Sequence, residues 1–500
     1  MSITRKIFGV GAWTGVSRVL GFARDMLIAR FLGAGRGSDI FLTAFKLPNM
    51  FRDLLGEGAM SSVFIPIFSR ENRDSKFASN AFSWLILVTL AITIALTILM
   101  PIIMMGMAPG FDAEKLAMTV YIGRIMIWYL VLIIAAGFLA SILNAFSDFA
   151  IAAATPIITN LALIFALLVF GANLPWLAVM VLIAGILQIA ILAARIRAKN
   201  FGLRLVRPHI TPLIKTMGQR MSWGFLGSGF YQLNVIAGVI IASFQTGAVS
   251  YLYYADRLVQ LPFAIIGIAT GTVMLTKISD AMATQKMDAV YKYQNAALKN
   301  SLMLVLPAMI GLIVLAFPIV SALFVRGEFT SIDAIAVALA LMILALSLPF
   351  MTTSQIYLKT IYATGDAKTP VKISAWTLGL SIFIMIAAAT WFSYSNLSNF
   401  IYLSVPIGTV IGGAVRNFAL KQTCRRRKII KLYPETQVIV AIFFILSLLM
   451  GFGIYYIKHG FLYYLTLINL FLLIMIGAVI YLLPAFFYDK MVMRKRRKTL

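Results

Sequence analysis

Charged side chains interrupt three apolar stretches of the chain. In SRVLGFARDMLIARF, residues 17–31, Arg18, Arg24, Asp25 and Arg30 sit among Val, Leu, Phe, Ala, Met and Ile. A second stretch, 38–68, carries Asp39, Lys46, Arg52, Asp53 and Glu57; a third, 249–279, carries Asp256 and Arg257, followed by Pro262. Arginine offers a planar fork of donors that matches the oxygens of a phosphate. In mid-bilayer a charge costs roughly 2.5–3.5 kcal/mol on insertion scales, while an apolar residue returns only about 0.3–0.6. These groups are therefore expected to face protein or water, and to act on an anion.

The elements that must position them are membrane helices. The 500 residues are 61% hydrophobic and 12% charged, with a mean hydropathy of +0.94. Runs of 18 or more apolar residues recur along the chain, each long enough to cross about 30 Å of hydrocarbon. A β-barrel would show alternating segments of about ten residues instead. The net charge of +26 resides mainly in loops, which reads as membrane orientation and not nucleic-acid binding. Cys424, the one cysteine, is placed in a basic loop and allows neither an intramolecular disulfide nor a cysteine metal cluster. The apolar N-terminal stretch is long and charge-interrupted, so no cleavable signal is expected.

Fourteen spans are predicted: 7–33, 38–68, 79–106, 116–146, 150–171, 175–197, 221–244, 249–279, 297–325, 332–362, 371–393, 398–420, 436–457 and 460–487. Connections on one side, such as GAGRGSD and QTGAVS, hold few basic residues. Those on the other side, such as SRENRDSK and KQTCRRRKIIKLYPE, are basic, SDFA excepted. The positive-inside rule then puts both termini in the cytoplasm. Residues 201–220 form a basic, amphipathic connection on the inner leaflet. It separates an N-terminal lobe, 1–200, from a C-terminal lobe, 221–425; residues 426–500 supply two further spans and a basic tail.

A parallel repeat of six helices supports that division. Gly35–Ser69 and Gly247–Ser279 share an opening Gly and Ser, then Ala, then a basic residue followed by Leu. Lys46 precedes Gly56 by ten positions, as Arg257 precedes Gly267. Glycines 56, 58, 267 and 271 suit close helix packing, or hinging. Asp39, Lys46 and Asp53 recur every seven residues on one stripe, which Pro48 should kink.

At 1.5 Å per residue, Arg18, Arg24, Arg52 and Arg257 fall between the middle and the outer half of the membrane. Basic residues outnumber acidic partners there, so a water-filled cationic cavity with unpaired guanidinium groups is expected. The alternative is internal neutralisation by Asp25, Asp39, Glu57 or Asp256. Arg124 and Arg416 read as snorkelling or helix-bridging residues. No catalytic constellation, metal-ligand set or P-loop occurs, so neither an enzyme nor a cofactor is expected. Asp112 and Glu114 read as a solvated outer turn.

In these motifs the chain resembles the MurJ (MviN) family of lipid II flippases. SRVLGFARDMLIARFLGAG, SDIFLTAFKLPNMFRDLLGEGAMSSVFIPIFS, YYADRLVQLPFAIIGIATGTVMLTKIS, LFVRGEFT and YATGDAKTPV carry the likeness. The resemblance implies an all-α polytopic membrane protein of 14 transmembrane helices: two six-helix lobes of the MOP type around a central cavity, plus two C-terminal helices forming a groove for a polyprenyl tail. It implies passage of undecaprenyl-diphosphate-linked disaccharide-pentapeptide from inner to outer leaflet of the bacterial cytoplasmic membrane. It assigns substrate binding to Arg18, Arg24, Arg52 and Arg257. Roles for Asp25 and Asp39 follow from it too; Glu57 and Asp256, read from their charges alone, join them as expected gating or charge-pairing residues. Implied partners are the lipid-linked substrate, membrane lipids and cell-wall synthesis proteins, with no nucleic acid.

The sequence departs from the family in places. Gln260 stands where Glu is frequent, which leaves Arg257 less neutralised, and Lys359 stands where Arg is frequent. Span 7, NVIAGVIIAS, has no acid, and span 11 has neither Asn nor Asp, against a sodium site of the kind some members hold. Alternatives are a flippase for another polyprenyl-linked glycan, a drug/cation antiporter, which should have an acidic cavity, and a membrane glycosyltransferase, which needs larger outer loops.

Overall fold

The computed structural model describes residues 3–52, 59–366, 368–461 and 467–498. In chain order the helices are α1 (Ile3–Leu32), α2 (Arg36–Phe51), α3 (Ala59–Arg70), α4 (Ser75–Met107), α5 (Ala113–Met126), α6 (Tyr129–Ala145), α7 (Phe149–Phe170), α8 (Leu174–Arg197), α9 (Pro212–Ala242) and α10 (Ala248–Pro262). A π-helical turn, Phe263–Ile268, follows. Then come α11 (Ala269–Ala283), α12 (Met287–Val314), α13 (Ala316–Phe324), α14 (Ser331–Ala345), α15 (Leu348–Ala363), α16 (Lys368–Tyr394), α17 (Ser404–Arg426), α18 (Pro434–Phe461) and α19 (Leu467–Lys498).

Among the described residues, ten helical segments are long and apolar enough to cross a membrane. They fall on the ten predicted spans that carry few charges. The other four predicted spans lie on α1, α2–α3, α9 and α10–α11. Three of these hold the charged motifs, and their charges offset the apolar signal. Two paired elements form single spans: α5–α6 run as Ala113–Ala145 and α14–α15 as Ser331–Ala363.

Proline shapes the charged helices. Pro262 ends α10 and lacks the donor for an i→i−4 bond, and the backbone widens directly into the π turn. Arg52, four residues after Pro48, also has π-helical backbone. In the repeat alignment of Lys46 with Arg257, Arg52 falls on Phe263, the first residue of the π turn.

Packing divides the chain into two units: Met1–Ser250 with Arg326–Phe329, and Tyr251–Val325 with Thr330–Leu500. In the first, Phe64, Phe68 and Phe138 centre a core shared by α3, α4, α6 and α8. The Phe64 ring lies 4.9 Å from Phe68 and 4.5 Å from Phe138, centroid to centroid. The VRGEF turn belongs to this unit because the Glu328 N–H donates to Arg30 O at 2.9 Å. Gly327, at φ +60, meets Arg30 so closely that a Cβ would lie 2.3 Å from Arg30 O. No other residue type fits there.

In the second unit α16 and α17 touch through Gly408 and Gly412, a small-xxx-small pair. A Cβ at Gly408 would lie 2.4 Å from Met385, and one at Gly412 2.6 Å from Ser381. Ser381 Oγ donates to Gly408 O at 2.9 Å. Cys424 lies in the last turns of α17, fully buried, and not in a loop as its basic neighbours implied.

The same clasp closes the basic end of each unit. After α6, Ser147 takes φ 58, and Asp148 pairs with Arg195 at 2.7 Å and Lys199 at 3.1 Å. After α15, Gly365 takes φ 81, and Asp366 pairs with Arg427 at 2.7 Å. Helices α8 and α17 each stop through a left-handed residue, Asn200 and Lys428, with a closing backbone bond to Ile196 O and Cys424 O. An extended strap follows each. Asn80 of α4 accepts from His209 N–H at 3.0 Å and donates to its carbonyl at 2.9 Å. Asn295 of α12 donates to Lys431 O at 2.6 Å and accepts from Tyr433 N–H at 2.9 Å. A proline, Pro212 or Pro434, then opens the next helix.

Candidate functional site

Arg24 is buried in α1, and its guanidinium is held from two sides. Nε and Nη2 donate to Asp25 Oδ1 at 3.0 and 2.5 Å, and Nη1 donates to Asn160 Oδ1 of α7 at 3.1 Å. Asn160 Nδ2 in turn donates to Ser17 O at 3.0 Å, tying its amide to α1. Arg24 is 7% exposed, Asp25 2% and Asn160 7%. The prediction of a guanidinium without a carboxylate therefore fails at Arg24. A buried charge needs a partner in low dielectric, and its sequence neighbour supplies one. The result is an oriented Arg–Asp pair whose fork an arriving anion must share or take over.

Arg18 lies elsewhere. Six residues at 100° each set it about 120° around α1 from Arg24, and it is exposed. Arg52 is partly buried at the end of α2. The Tyr129 hydroxyl lies 3.3 Å from Thr159 Oγ1, the residue before Asn160. Glu57 and Asp53 lie outside the described residues.

In the second unit, Arg257 stacks over the Tyr253 ring, its Cζ 4.9 Å from the centroid, and Nη2 donates to the Tyr253 hydroxyl at 3.1 Å. The two residues are one helical turn apart, so α10 itself presents the guanidinium. Gln260 donates to Asp256 through a short hydrogen bond. Where a Glu would repel Asp256, the amide of this chain bonds to it.

Asp39 pairs with a lysine instead of an arginine. Its carboxylate is fully buried and accepts from Lys115 Nζ at 2.8 Å, Gly247 N–H at 2.8 Å, Ser250 N–H at 3.0 Å and Ser250 Oγ at 2.7 Å. Two of these donors belong to the first turn of α10, so Asp39 of α2 caps that helix from outside it. Ser250 Oγ also lies 2.7 Å from Ser38 Oγ, a hydrogen-bond distance that ties the turn to the start of α2.

Asp112 and Glu114 stand at the surface, both paired with Arg36. Asp112 also caps α5, and the Lys115 N–H leads the causes that lower its pKa. Sequence reading missed Asn160 and Lys115. Asn160 had a signal, a lone amide inside an otherwise apolar span. Lys115 had none, because it was counted with an outer loop. No cluster of three His, Cys, Asp or Glu side chains able to hold a metal occurs among the described residues.

Long apolar helices with charged groups turned into helix contacts define a multi-pass membrane transporter fold. It is shared with an inward-facing multidrug resistance MATE family transporter of the MOP superfamily, at TM-score 0.68 and 16% identity over 82% of this chain and 94% of that one. A structure of the lipid II flippase MurJ in an inward closed conformation matches at TM-score 0.80 and 26% identity, over 97% of this chain and 99% of that chain. The probable lipid II flippase MurJ of Rickettsia prowazekii (strain Madrid E) is 35% identical over 375 residues, 73% of this chain and 74% of that protein. The probable MurJ of Rhizobium meliloti (strain 1021) is 34% identical over 408 residues, 78% and 75%. The family described as lipid II flippase MurJ matches residues 28–476, and the chain belongs to it.

Proposed function

We propose that this protein is a lipid II flippase of the cytoplasmic membrane. It carries undecaprenyl-diphosphate-linked disaccharide-pentapeptide from the inner to the outer leaflet by alternating access. The reading adopts fourteen spans with both termini cytoplasmic, six-helix lobes at 1–200 and 221–425, the connection 201–220, and two further helices in 426–500. Arg18, Arg24, Arg52 and Arg257 are its substrate-binding residues; Asp25, Asp39, Glu57 and Asp256 are its gating and pairing residues.

The observation that carries it is the buried Arg24 guanidinium, oriented by Asp25 and Asn160 in a member of this family. A fork held in advance binds a diphosphate without first paying to order a long side chain. The bilayer-depth charge of Arg24 is already offset by Asp25, so the pair is stable empty. The diphosphate draws the fork away from Asp25, and Arg52 and Arg257 add positive charge. The glycan and peptide travel in water while the polyprenyl chain stays in lipid.

The test is translocation of lipid II in proteoliposomes, with and without an imposed voltage. Transport by the wild-type protein, lost in Arg24→Ala and Arg257→Ala, supports the reading. Wild-type inactivity towards lipid II, or full activity of both variants, overturns it. A cation-drug antiporter shares the fold, but a site built on arginines disfavours a cationic cargo.

A further inference from the structure

We propose that Lys115 is the positioning cation of an outer latch: it pairs with the buried Asp39 carboxylate and fixes its direction, so that Asp39 clamps the α9–α10 turn onto α2 and α5. This deepens the flippase reading and rests on it for the meaning of the outer side.

The geometry is specific. Lys115 is 3% exposed, Asp39 is fully buried, and Nζ lies 2.8 Å from Asp39 Oδ2. The ammonium also stands 3.9 Å from the Phe111 ring centroid, over its electron-rich face. The remaining donors to Asp39 are two backbone N–H groups and the Ser250 hydroxyl. These orient the carboxylate but bring no full charge. Among the described residues, Lys115 is the charged partner that offsets the cost of burying the anion. Close by, the Gly110 N–H donates to Ser243 Oγ at 3.0 Å, and a Cβ at Gly110 would lie 2.5 Å from Phe244. The α4–α5 turn therefore also touches the end of α9. To open, the outer end must pull Gly247 and Ser250 off Asp39, and Asp39 then keeps Lys115 as its partner. Lys115 thus sets how strongly the carboxylate accepts from the turn and stays its partner when the turn leaves.

Thr43 lies one turn beyond Asp39 on α2 and is fully buried, which makes it a reporter of the latch. Thr43→Cys protein in right-side-out vesicles is labelled with a membrane-impermeant maleimide, in four backgrounds: parent, Lys115→Met, Asp39→Asn and Asp39→Asn with Lys115→Met. Breaking a buried ion pair from one side is far more costly than removing both charges. Each single variant is expected to label at least roughly tenfold faster than the parent, and the double variant to return to within about threefold of it. A parental rate in Lys115→Met overturns the proposal, as does a double variant that labels as fast as Lys115→Met. Folding is checked in detergent on the same backgrounds without Thr43→Cys, where the buried Cys424 thiol stays unlabelled in an intact protein. The readout needs no substrate, so failure of the flippase reading shows in the transport assay and failure of the latch in the labelling.

Discussion

Nη1 of Arg24 donates to Oδ1 of Asn160 at 3.1 Å, joining two helices whose residues are 136 positions apart. The bond converts a flexible cationic side chain into a fixed fork. It also separates two roles: Arg24 supplies charge, whereas Asn160 supplies direction.

Arg24→Ala is expected to abolish lipid II transport while leaving expression and membrane insertion intact. Asn160→Ala keeps the charge but frees the fork; a hydrogen bond to a charged group contributes about 1.5–3 kcal/mol. Substrate affinity should fall by roughly tenfold or more, with transport retained at saturating lipid II. Titration of purified protein with lipid II checks both.

Tyr253 gives Arg257 a ring face and a hydroxyl. Tyr253→Phe removes only the hydroxyl and should be mild. Tyr253→Leu also loses the cation–π contact, about 0.5–2 kcal/mol, and should weaken lipid II binding further. Equal effects of the two variants would remove the ring from the account.

Gly408 and Gly412 leave no space for a side chain against Ser381 and Met385. Gly408→Leu or Gly412→Leu must push α16 from α17, at a cost of about 1–3 kcal/mol or more. A lowered melting temperature in detergent is the expected result. Gly413→Leu, where a Cβ meets nothing within 4 Å, should melt like the wild type.

The strap clasps make a paired prediction. Asn80→Ala and Asn295→Ala each remove two hydrogen bonds to strap backbone, worth about 1–3 kcal/mol together. Limited proteolysis should cut near His209 faster in the first variant and near Lys431 faster in the second, each without exposing the other strap.

Asp366 accepts hydrogen bonds from the Thr369 side chain and backbone and from Arg427, and these hold its carboxyl well below the usual carboxylate range. Asp148 is also lowered: partial burial works to raise it, but bonds from Arg195 and Lys199 outweigh that. A lowered folded pKa means stabilisation that is present above the unfolded value, about 3.9, and lost as pH falls through the folded value. Melting curves from pH 7 to acid should show wild type more stable than Asp366→Asn at neutrality. The gap should close only below the ordinary carboxylate range.

The sequence alone determined the membrane class and ten of the fourteen spans it predicts, and it singled out arginines as candidates for phosphate, because hydropathy and side-chain chemistry are local properties. Its repeat reading rests on the same local signal, Lys46 and Arg257 at matching distances from glycine. Tertiary structure alone decided the partners. Arg24 met Asp25 and Asn160, Asp39 met Lys115 and the first turn of α10, and Arg18 stayed apart on another face of α1. Such pairings depend on how far each helix is rotated and which helix lies beside it. Residues 76 or 136 positions apart carry no local trace of that, and a lysine counted with a loop can prove to be the buried counter-ion of an aspartate.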